Sequence, residues 1–153
     1  MKQTTKTFVI AILAMIMTFA TAAAQMTMTQ NTSVVINSRN MAIYDGRTIT
    51  GTVPPTSYAG NNGNFISQGA IVVDGIELNL TIKDFTADYS ELNTTAATKA
   101  SGISLLNGAT LHLTLQGTNT LIGGRGGAGI AVPDGCTLEI TAASSGSLIA
   151  TGR

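Results

Sequence analysis

Two segments near the end of this 153-residue chain match each other without a gap. GISLLNGATLHLTLQGTNTLIGG starts at Gly102 and GIAVPDGCTLEITAASSGSLIAT starts at Gly129, an offset of 27 residues. Under that offset Gly102 meets Gly129, Ile103 meets Ile130, Gly108 meets Gly135, Thr110 meets Thr137 and Leu111 meets Leu138. Thr114 meets Thr141, Leu121 meets Leu148 and Ile122 meets Ile149. A period in the twenties, made of short alternating strands punctuated by Gly, is the mark of a chain laid down in stacked turns. The expected fold class is therefore all-β, a β-solenoid.

A third copy lies upstream. In GAIVVDGIELNLTIKDFTAD, setting Gly75 under Gly108 places Leu78 on Leu111, Leu80 on Leu113, Thr81 on Thr114 and Ile82 on Leu115. About three rungs result, near the minimum for a stable stack. The surplus of this turn falls on YSELNTTAATKA (Tyr89 to Ala100), expected to bulge as a loop, with a short amphipathic helix as the alternative. Side chains on a strand alternate between its two faces. Ile76, Leu78, Leu80 and Ile82 then point inward, beside Ala109, Leu111, Leu113 and Leu115 and beside Cys136, Leu138, Ile140 and Ala142. The other parity gives outward columns: Glu77 with Thr110 and Thr137, Asn79 with His112 and Glu139, Thr81 with Thr114 and Thr141, and Lys83 with Gln116 and Ala143.

Ahead of these turns, residues 25–64 read as an N-terminal cap or irregular first turn, leaving 65–153 for the rungs. SVVI (Ser33 to Ile36), MAIY (Met41 to Tyr44) and RTITGTV (Arg47 to Val53) are expected as short strands, and Pro54 with Pro55 as a turn or exposed edge. Residues 1–24 read as a signal peptide: Lys2 and Lys6, an apolar run from Phe8 to Ala20, then Thr21 to Ala24 as a small-residue cleavage site. The run is short of the roughly 20 residues that span a bilayer as a helix, so no permanent membrane span is expected. Without the leader, six basic side chains face eight acidic ones. Nucleic acid is an unsuitable partner for such a chain, because its phosphates demand clustered Lys and Arg. Cys136 is the single cysteine and rules out an internal disulfide; its inward parity makes it a small buried hydrophobe.

Among residues able to carry chemistry, His112 is the single histidine and stands in line with Asn79 and Glu139. A His beside a carboxylate can act as acid or base, but no Ser or Cys nucleophile falls beside the pair, so no catalytic residue is assigned. The threonine column invites comparison with ice-binding solenoids, but a second regular column is missing and strand propensity accounts for it. GGRGGAGI (Gly123 to Ile130) lacks the following helix and the Lys-Ser or Lys-Thr pair of a phosphate loop, and reads as a corner. Asp45, Asp74, Asp84, Asp88 and Asp134 lie near turns, where Asp commonly bonds backbone. They leave calcium open as a ligand without the spacing of a known calcium loop. No cofactor is required by the sequence.

LNLTIKDFTAD, then GATLHLTLQGTNTL, then GGAGIAVPDGCTLEITAASSGSLIATG, resembles secreted right-handed parallel β-helix proteins of gut Bacteroidetes and Firmicutes. These are described as carbohydrate-binding-domain-containing or adhesin-like surface proteins. The likeness runs from about Ile71 to Gly152 and covers the order of the three motifs as well as their composition. It implies an extracellular right-handed parallel β-helix and, for one branch, calcium-assisted binding of acidic plant sugars. It assigns no individual binding residue, because the matched positions are core ladders and turn glycines. Such proteins usually continue past A-T-G into another glycine-rich turn, and Arg153 aligns with Gly126, where that turn would begin; a longer parent protein is the expectation.

The sequence thus leads to a non-catalytic, secreted or cell-surface β-helix. Its expected partner is an extracellular polysaccharide or a host or cell-surface glycan, with Asn79, His112, Glu139, Thr81, Thr114 and Thr141 as the outward ligand-binding face. The alternatives are a structural or adhesin stalk presenting a downstream domain and, less favoured, a polysaccharide lyase or hydrolase.

Overall fold

The computed structural model describes residues 24–29, 33–53, 69–91 and 100–153. The expected leader up to Ala23, the Pro54–Pro55 turn and the 92–99 part of the expected loop lie outside these residues. The described chain is mostly β and every strand pairing in it is parallel. In order come β1 (Gln25–Met28), β2 (Val34–Ile36), a helical turn α1 (Met41–Tyr44), β3 (Arg47–Val53), β4 (Ile71–Asp74) and β5 (Glu77–Asp88). Then follow β6 (Ile103–Leu106), β7 (Thr110–Gln116), β8 (Thr118–Ile122), β9 (Ile130–Ala131), β10 (Thr137–Ile140) and β11 (Ser147–Thr151).

The chain alternates between two sheets. The smaller runs β2-β4-β6-β9; the larger runs β1-β3-β5-β7-β10, and the long β5 also pairs with β8, which pairs with β11. Parallel neighbours cannot be joined by a tight hairpin, so each strand reaches its partner only after the chain has passed through the other sheet. The expected register of the larger sheet is present: Leu78 pairs with Leu111 and Leu111 with Leu138, while Leu80 pairs with Leu113 and Leu113 with Ile140. On the other side of β5, β3 continues the columns, with Ile49 against Ile82 and Thr48 against Thr81. In the smaller sheet Val34, Ile71, Ile103 and Ile130 form one column and Ile36, Val73 and Leu105 another. Ile36, Ile71, Val73, Ile103 and Leu105 and the inward residues of β3, β5 and β7 form one buried cluster, in which each large aliphatic side chain contributes about 1.5–3 kcal/mol, and the partly buried Val34 and Ile130 pack against it.

MAIY is helical, not a strand. The reason lies in the asparagines before it. The Asn37 N–H donates to the Asn40 side chain at 2.8 Å, the Asn40 side-chain amide donates to the Val35 carbonyl at 2.9 Å, and the Met41 N–H donates to the Asn37 carbonyl. Short polar side chains that bond local backbone outcompete a strand ladder.

The ungapped repeat holds for β6–β9 and β7–β10 but fails at the last corner. Thr110 pairs with Thr137 at offset 27, whereas Thr118 pairs with Ser147 at offset 29. Leu121 therefore lies on Ala150 and Ile122 on Thr151, while Leu148 lies on Asn119 and Ile149 on Thr120. Two extra residues are taken up before Ser147. The N–H groups of Ser145 and Gly146 both donate to the Leu115 carbonyl, and Ser147 donates to Gly117. A Cβ on Gly146 would stand 2.4 Å from the Gly117 carbonyl oxygen, so only glycine lets this longer corner sit against the one before it.

A milder slip occurs at Asp84, which has φ of +48° and bulges out of β5 between Lys83, paired with Thr50, and Phe85, paired with Gly51. Behind that corner sits Asn119, fully buried. Its side-chain oxygen accepts the Phe85 N–H at 3.1 Å, and its amide donates to the carbonyls of Gln116 at 3.0 Å and Ser147 at 3.1 Å. One asparagine thus joins β5, the β7–β8 corner and β11.

Candidate functional site

The outward surface of the larger sheet brings the expected residues together. Asn79 pairs with His112 and His112 with Glu139 across β5, β7 and β10; one place along, Thr81 pairs with Thr114. The Thr114 and Thr141 hydroxyls are 2.7 Å apart, hydrogen-bonded to each other. Because strands lie about 4.8 Å apart, these columns present polar groups at that spacing, of one kind in the threonine column. The structure lengthens the threonine column by Thr48, which pairs with Thr81.

His112 is half-buried, its side chain 24% exposed, and both ring nitrogens are engaged. Nδ1 lies 2.8 Å from Glu139 Oε2 and Nε2 lies 3.0 Å from Glu77 Oε1. Glu139 is the strand neighbour expected from the alignment. Glu77 is not: it pairs with Thr110, one outward position before His112, and its longer side chain reaches diagonally across. Asn79, directly opposite, turns instead to Asp45, donating its backbone N–H and side-chain amide to Oδ1 at 2.9 and 3.2 Å. An ionised carboxylate can only accept hydrogen bonds, so two carboxylates are both satisfied by His112 when the ring carries both protons. The hydrogen bonds to Glu77 and then Glu139 raise the His112 pKa above its ordinary value, against a smaller lowering by desolvation.

This arrangement limits the chemistry available. The imidazole fills the gap between the Glu77 and Glu139 carboxylates, where the scissile bond would have to lie if they worked as an acid and base pair. The two carboxylates bind opposite edges of the ring and do not converge on one point. Among the described residues no group of three or more His, Cys, Asp or Glu side chains is placed to hold a metal ion. The turn aspartates bridge neighbouring turns: Asp45 takes Asn79, Asp74 accepts the Asn107 amide at 2.6 Å, and Asp84 accepts the Thr118 N–H at 3.0 Å. Asp88 bonds its own turn through the Ser90 N–H. In the glycine corner, a Cβ on Gly129 would meet the Leu121 carbonyl oxygen at 2.5 Å, so this glycine serves the close approach of turns. Cys136 is partly buried and packs against the core cluster.

Sequence reasoning placed Glu77 on this surface but not against His112, and passed over Asp45 and Thr48 as members of it. Thr48 was legible in RTITGTV, whose Thr-Ile-Thr repeats the Thr81-Ile82 pattern of β5. The chain matches no known protein family, no curated protein and no solved structure. Among the described residues no helix is long and apolar enough to cross a membrane.

Proposed function

We propose that this chain is an exported right-handed parallel β-helix that binds an extracellular glycan, without catalysis, along the outward face of its larger sheet. The observation that carries the reading is the in-register polar surface: Asn79, His112 and Glu139 in one column beside Thr48, Thr81 and Thr114 in the next. Groups repeated at a fixed spacing suit a polymer whose hydroxyls also repeat. The alternation of the chain between two parallel sheets supports the β-helix, and the apolar run with its small-residue end supports export to the medium or the cell surface. The motif order shared with secreted β-helix proteins of gut bacteria supports both. Calcium joins this reading as a bridge to an acidic polysaccharide rather than as a resident ion.

Titration of the purified chain with polygalacturonate and with a neutral glucan, each with and without calcium, tests the reading. A ligand that binds the folded state alone raises the unfolding midpoint by mass action. The triple variant Asn79→Ala, His112→Ala, Glu139→Ala is expected to lose at least tenfold in affinity while still folding. Unchanged affinity in that variant would move the site to the loops, and no affinity for any glycan would reject the reading.

A second reading is a stalk that holds another domain away from the cell. It is favoured by the way the polar groups of the face bond one another, His112 to two glutamates and Thr114 to Thr141, as cross-strand ties do. A folded chain with no glycan affinity selects it.

A further inference from the structure

We infer that Glu77, His112 and Glu139 form a proton-operated clasp that pins β10 to the larger sheet when His112 is charged and loosens when the ring loses its proton. This role does not depend on what the face binds.

The argument starts from the number of protons. At 2.8 and 3.0 Å both ring nitrogens are within hydrogen-bonding distance of a carboxylate oxygen. The imidazolium has two N–H groups and donates to both. A neutral ring has one, so its bare nitrogen faces a carboxylate oxygen with lone pair against lone pair. Deprotonation therefore converts one of the two bonds into a repulsion. Either glutamate can swing away, since Glu77 and Glu139 are 73% and 59% exposed. The consequences differ by strand. Glu77 belongs to β5, which is paired on both sides, by β3 and by β7 and β8. Glu139 belongs to β10, which among the described residues pairs with β7 alone. β10 is four residues long against twelve in β5, so it has fewer ladder bonds to β7 to hold it when the clasp opens.

The surroundings leave this pair of glutamates in control. From β5 the facing groups are Glu77 and the neutral Asn79, behind which stands Asp45. From β10 the facing group is Glu139, and on β7 itself the flanking outward residues are Thr110 and Thr114. Lys83, the cation of β5, is four residues beyond Asn79, about 13 Å along the strand at roughly 3.3 Å per residue, too far to compete. The sign of the pH effect follows. The folded-state pKa of His112 is raised above the ordinary 6.5, so its stabilisation is fully present below about pH 6.5 and is lost as pH climbs through the folded value.

Nuclear magnetic resonance on the intact chain tests the clasp. The His112 ring is expected to titrate above 6.5, and both Glu77→Gln and Glu139→Gln are expected to lower that midpoint. Over the same pH range, amide protection factors in β10 should fall relative to those in β7, at least threefold in the wild type and not at all in His112→Gln. A midpoint unmoved by either glutamate substitution would overturn the proposal. So would an equal loss of β10 protection in wild type and His112→Gln. The His112→Gln substitution lies on the outward face, which keeps the core intact for the comparison.

Discussion

Leu113 and Ile140 stand in the same inward column, one strand apart, yet Leu113 is 0% exposed and Ile140 is 45% exposed. The difference is the number of neighbours. β7 lies between β5 and β10, while β10 has β7 on one side and, among the described residues, no strand on the other. The same holds in the neighbouring pair of strands, where Leu121 of β8 is fully buried while Ala150, opposite it in β11, is exposed and the adjacent Ile149 is 56% exposed. In stacked parallel layers, then, burial belongs to position in the stack more than to residue type, and each layer takes much of its stability from the two that flank it.

The contrast is broken most strongly by truncating the same column at its two ends. Leu113→Ala should destabilise by about 2–5 kcal/mol, the usual cost of a cavity in a closed core, whereas Ile140→Ala should cost less than about 1 kcal/mol because much of its side chain already meets water. Chemical denaturation with urea measures both, and equal costs would break the comparison. A smaller effect is expected at Asn119, which ties the middle turn to the last one. Asn119→Ala strands the Phe85 N–H and removes the donors to Gln116 and Ser147, at a cost of about 1–3 kcal/mol for the orphaned backbone group. That loss should appear in the same denaturation experiment and should raise amide exchange in β11 more than in β7. The weakest effect is the proton clasp at His112, felt in β10 and scarcely elsewhere.

The parts of this fold that were legible in sequence are those governed by strict alternation. Leu78, Leu111 and Leu138, and beside them Leu80 and Leu113, announce two inward columns because period 2 leaves them no other face, and the outward line through Asn79, His112 and Glu139 follows from the same register. What escaped the pattern was decided by side-chain reach and by single residues at corners. Glu77 reaches His112 because a glutamate is long enough to cross the diagonal between strands, which no column alignment displays. The Asn37 and Asn40 side chains turn MAIY into a helical turn through local bonds. At the last corner, Leu-Ile at 121–122 and again at 148–149 gave a matching pair out of register, since two added residues before Ser147 shift β11 without disturbing β10. Asn119 carries no signal in the column alignment; its three partners hold it in the core.

Amide hydrogen exchange resolved by residue along β7 and β10 tests the layered arrangement most directly. In a parallel pair the N–H groups of alternate residues point to opposite sides. The β10 ladder to β7 is bounded by the N–H of Thr137, donated to Ala109, and that of Thr141, donated to Leu113. Protection should therefore be continuous through Leu111 to Leu115 but alternate in β10, with Thr137, Glu139 and Thr141 slow and Leu138 and Ile140 fast. Uniform protection along β10, or uniform exposure along β7, would contradict the account.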